Sequence, residues 1–134
     1  MERNFKDLEA WRSGMSLVGL VFDLTAKLQR EGGGEEAGDA LRPAALEVAQ
    51  RIAAGAAAGR PGEWLQCLAL ARAALDRLEE EASGIRAFPA HRLAGPAVRV
   101  RRELLALQGA AVAALLGPDH GTANGVEAAF GEAA

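Results

Sequence analysis

The chain of 134 residues and 13.9 kDa is half hydrophobic and one-quarter charged, with a formal net charge of −3 and a mean hydropathy of +0.03. That content suffices for one packed domain and is too apolar for a disordered chain. Two Trp, four Phe, no Tyr and an excess of Ala and Leu favour helices and argue against a large β-sandwich or a doubly wound nucleotide-binding fold.

A first helix is expected over residues 5–30. Leu8, Trp11, Met15, Val18 and Phe22 alternate steps of three and four, and Leu17, Val21, Leu24 and Leu28 widen that stripe. Gly32-Gly33-Gly34 ends it, and Glu31, Glu35, Glu36 and Asp39 make an acidic, solvated link. The second helix is expected over 38–58, with Leu41, Ala45, Val48 and Ile52 as its stripe and Pro43 in the first turn, where a missing N–H costs little. Its end, Ala53 to Gly59, has almost no bulk, so a neighbouring backbone can approach closely.

The third helix is expected over 61–83. Pro61 and Glu63 are N-terminal signals, and Trp64, Leu68, Ala71, Leu75, Leu78 and Ala82 form the most regular heptad of the chain. The fourth is expected over 90–116, on Leu93, Ala97, Val100, Leu104, Leu107, Ala111 and Ala114, with Gly95-Pro96 weakening its start. Together these predict an all-α, up-down-up-down antiparallel four-helix bundle, packed left-handed near +20°. Residues 118–134 read as a flexible acidic tail: Asp119, Glu127 and Glu132 without a base account for the whole net charge.

Little in the chain suggests chemistry. His91 and His120 have no ligand-type partner at helical spacing, and no Glu-x-x-His di-iron signature occurs. Glu79-Glu80-Glu81 and Glu35-Glu36 fan outward on a helix as a solvated face. Cys67 is the sole cysteine, which excludes an internal disulfide and reads as a buried small hydrophobe in a reducing compartment. Gly32-Gly33-Gly34 lacks a Gly-Lys-Ser/Thr ending and follows a helix, so it reads as a linker. The N-terminus is charged and no apolar run is long enough for a membrane span, so a cytoplasmic protein without catalytic, metal or cofactor residues is expected.

The one notable charge feature is Arg86, Arg92, Arg99, Arg101 and Arg102, +5 without an intervening acid. These arginines are candidates for an anion or nucleic-acid contact surface, or for a solvated face that pairs with acids such as Glu79–Glu81. Leu17, Val21 and Leu28, or Leu65 and Leu105, could face a second subunit or complete the monomer core.

Asn4-Phe5-Lys6-Asp7-Leu8-Glu9-Ala10-Trp11, with Phe22-Asp23-Leu24-Thr25 downstream, resembles the opening of the four helix bundle proteins, also called large-subunit ribosomal-RNA intervening-sequence proteins. Ile52-Ala53-Ala54-Gly55 and Glu63-Trp64 keep the spacing of that family's second motif, Asn-Ile-Ala-Glu-Gly followed by Glu-Phe, and Leu68 to Glu79 is similar to its third. Arg51 and Ala54 stand where the family has Asn and Glu, and Ala73-Ala74 where it has Gly-Ser. The resemblance implies a helical bundle assembled into a ring, typically a homopentamer, without enzymatic activity. Related bundles are the accessory variability proteins of diversity-generating retroelements, where a basic pentamer binds RNA and the reverse transcriptase. The resulting expectation is a homo-oligomeric scaffold or adaptor that assists a nucleic-acid enzyme. The competing expectation is a protein-interaction module without nucleic-acid binding, docking through its surface or through Val126 and Phe130 of the tail, spaced i, i+4.

Overall fold

The computed structural model describes residues 8–117. Four long helices account for most of them: α1 (Glu9–Arg30), α2 (Glu35–Ala58), α3 (Pro61–Gly84) and α4 (Ala94–Leu116), with a 3₁₀ turn at Ala90–Leu93 leading into α4. Each helix packs against its neighbours in sequence, α1 also packs against α4, and α2 and α3 share the most extensive contact. The architecture is all-helical and fits a four-helix bundle. Among the described residues, no helix is long and apolar enough to cross a membrane.

One core runs through all four helices. Leu17, Leu41, Ile52, Trp64, Leu68, Leu75, Leu78, Leu93 and Leu104 are its largest fully buried members apart from valines. The expected stripe of α3 is buried at every position, as is that of α2. Leu17 and Val21 are fully buried, so these two complete the monomer core and do not face a second subunit.

Several expectations need correction. Met15 and Phe22 are exposed, because the buried arc of α1 is centred on Ala10, Gly14, Leu17, Val21 and Leu24. Phe22 lies instead beneath Arg42 of α2, whose guanidinium carbon is 5.1 Å from the ring centroid. The same Arg42 donates from Nε to Thr25 Oγ1 at 3.0 Å, and the buried Thr25 hydroxyl donates to the Val21 carbonyl at 2.8 Å. An apolar ring and a buried hydroxyl of α1 are thus both satisfied by one cation of α2.

The start of α2 is Glu35, not residue 38. Gly34 takes a left-handed conformation (φ 86°) just before it, and Glu35 and Glu36 occupy the first turn, where the helix dipole favours acids. Three of the four acids expected in a solvated link, Glu35, Glu36 and Asp39, are therefore helical. Pro43 consequently lies inside the helix rather than in its first turn, and the Asp39 carbonyl loses its usual i+4 donor. Both residues are exposed, so water can serve that carbonyl.

The fourth helical segment divides at Leu93, with a 3₁₀ turn before the α-helix. Pro96 sits in the first turn of α4, where its N–H is not needed. Between α3 and this turn, Ala87 holds a φ of 70°, which is unusual for a residue with a Cβ. The first helix begins at Glu9 with Leu8 as its cap. The expected residues 5–7 of that helix and the 118–134 tail, with Val126 and Phe130, lie outside the described residues.

Candidate functional site

The five singled-out arginines do not form one patch of equivalent charges. Arg86 lies in the turn after α3, Arg92 on the 3₁₀ turn, and Arg99, Arg101 and Arg102 on α4. All but Arg101 are exposed, and none of these four has an ion-pair partner among the described residues.

Arg101 is committed elsewhere. Its Nη2 donates to Asp76 Oδ1 at 2.6 Å and to Glu79 Oε1 at 2.7 Å, both on α3. Burial alone would lower its pKa, but the hydrogen bonds and charges of Glu79 and Asp76 outweigh it and leave the pKa raised. The α3–α4 seam is tied again farther along, where Arg72 Nη1 donates to Gln108 Oε1 at 3.0 Å. The pair with Glu79 matches the alternative reading of the arginine run, whereas those of Asp76 and Gln108 were not visible in the sequence, because their members lie 25 and 36 residues apart.

Arg86 also borders an open groove of about 890 Å³ with Gln29, Gly32, Gly33, Gly34 and Ile85. Glu35 and Glu36 line it too, so the groove presents both signs of charge and does not select anions.

Beside the arginines, the outward face of α4 is apolar. Val98, Leu105 and Val112 are 51%, 50% and 42% exposed. They are seven residues apart, so they drift by only about 20° per step around the helix and form one stripe. Leu116, 81% exposed, continues it. A solitary exposed Leu needs no explanation, whereas a row of them does. Sequence reasoning named Leu105 but missed Val98 and Val112, because the spacing was assigned to the inner seam of Val100, Leu104 and Ala111.

Among the described residues, no group of three or more His, Cys, Asp or Glu side chains could hold a metal ion. His91 is exposed, and Cys67 is half-buried beside Gly55 rather than fully enclosed. Glu103 is partly buried, and its Oε1 is shielded from solvent without a hydrogen-bond partner among the described residues.

Comparison with protein-family models, with curated proteins and with solved structures gave no significant match.

Proposed function

We propose that this chain is a non-catalytic, self-assembling helical scaffold or adaptor of the cytoplasm. In this reading it assists a nucleic-acid enzyme, such as a retroelement reverse transcriptase, and contacts RNA or DNA through the arginines on and before α4. Its helices run up-down-up-down and antiparallel with left-handed packing. The links 31–34, 59–60 and 85–89 support that order, since none could carry the chain back along a helix about 35 Å long.

The observation that carries the reading is the outer surface of α4, where an exposed apolar stripe runs beside arginines that lack acidic partners among the described residues. The stripe supplies a surface that water disfavours and a protein would cover. Arg86, Arg92, Arg99 and Arg102 supply donors that fit phosphate. A protein-interaction module without nucleic-acid binding is favoured by the stripe alone, because Val98, Leu105 and Val112 need no phosphate to be covered.

Binding of a single-stranded RNA over a range of salt concentrations tests the nucleic-acid part. Affinity should fall steeply with salt and lose about 0.7 of logarithmic slope for each phosphate contact removed. Arg99→Gln with Arg102→Gln should flatten the slope, whereas Arg101→Gln should leave it nearly unchanged. Absence of binding at low salt would leave only the protein-interaction module.

A further inference from the structure

The exposed stripe of α4 has a nearly symmetric profile. Seven residues from Leu105 in either direction stands an exposed valine, Val98 or Val112. Eleven residues away stand Ala94 on one side and Leu116 on the other, both exposed. The charges are not symmetric. Arg99, Arg101, Arg102 and Glu103 are the only charged residues of α4, and 104–116 carries none.

We propose that this face pairs with the same face of a second copy, antiparallel, about a twofold axis at Leu105. The proposal rests on the self-assembling reading given above and names its contact surface. In this arrangement Leu105 meets its own counterpart and each Val98 meets Val112. Each Ala94 meets Leu116, small against large. Arg101 and Arg102 cross Gly109 and Gln108, which carry no charge of their own; Gln108 accepts from Arg72, and Arg101 is already neutralised by Asp76 and Glu79. A parallel pairing sets Arg99, Arg101 and Arg102 against the same three residues, and like charges at close range oppose it.

The antiparallel order has a second electrostatic merit. It brings Arg92 to the end of the other copy's α4, where unpaired carbonyls concentrate partial negative charge. The contact extends about 33 Å from residue 94 to residue 116. An isologous contact of this kind closes on itself. It therefore gives a dimer or another even-numbered assembly, in place of the five-membered ring that the resemblance implies.

The full chain tests this in two ways. Light scattering and sedimentation should give an even number of copies for the wild type. Leu105→Glu should weaken that association by about 100-fold or more, with helicity by circular dichroism unchanged because Leu105 lies outside the core. The second test uses a Cys67→Ala background. Val98→Cys and Val112→Cys proteins should cross-link under mild oxidation when mixed, and neither should cross-link alone. Cross-linking of Val98→Cys with itself, or an assembly that Leu105→Glu leaves intact, overturns the α4 pairing while the self-assembling reading stands. A monomeric wild type at high concentration overturns both.

Discussion

Gly55 faces the indole of Trp64 so closely that a Cβ there would lie 2.9 Å from Cε3 of the ring and 3.0 Å from the Cβ of Cys67. Both lie where α2 and α3 pack, and both are buried. In an isolated helix, Gly→Ala gains about 1 kcal/mol. Here the gain is reversed, because neither a fully buried ring nor a backbone-proximal Cβ can yield cheaply. Gly55→Ala should destabilise the fold by about 1–3 kcal/mol, read as a lower midpoint in urea unfolding. An unchanged or raised midpoint would show that Trp64 has room to move.

Pro43 gives the opposite expectation. It is exposed and inside α2, where it removes one backbone hydrogen bond and crowds the preceding turn. Pro43→Ala should raise stability by about 1–3 kcal/mol, seen as a higher denaturation midpoint at unchanged slope.

Arg42 is expected to matter more than its half-exposed position suggests. It covers Phe22 at 5.1 Å and donates to the buried Thr25 hydroxyl at 3.0 Å. Arg42→Met keeps much of the apolar stem and loses the charge and donor. The loss should be about 1–2 kcal/mol. A double-mutant cycle with Phe22→Leu should return a coupling energy above about 0.5 kcal/mol, and strict additivity would dissolve the pairing.

Glu103 carries a shielded carboxylate oxygen without a hydrogen-bond partner among the described residues. Desolvation without a partner is unfavourable. Glu103→Met has similar reach and no such cost, so it should stabilise the protein by about 1 kcal/mol. Thermal unfolding of the two proteins side by side decides it, and a lower transition temperature for the variant would mean that this oxygen has a partner.

Much of the fold was legible because α2 and α3 each carry a single apolar stripe. Trp64, Leu68, Ala71, Leu75, Leu78 and Ala82 could point only inward. The first helix was harder, since Trp11, Met15, Val18 and Phe22 offer a second stripe beside Ala10, Gly14, Leu17, Val21 and Leu24. Periodicity cannot rank two stripes, and the deciding partner, Arg42, belongs to another helix. The surface was legible as composition but not as arrangement. The arginine run was plain, yet only packing shows that Asp76 and Glu79 withdraw Arg101 from it. Likewise the α4 stripe emerges only once the inner seam has claimed Val100 and Leu104.

Ala87 bears on how Arg86 and Arg92 are displayed. A side-chain-bearing residue in the left-handed region is held there by its surroundings against its own preference, at a cost of about 1–2 kcal/mol. The corner between α3 and the 3₁₀ turn is thus stiffer than a glycine hinge at the same place. Whatever grips both arginines meets their backbones at a preset separation, and only the two side chains lose freedom in doing so.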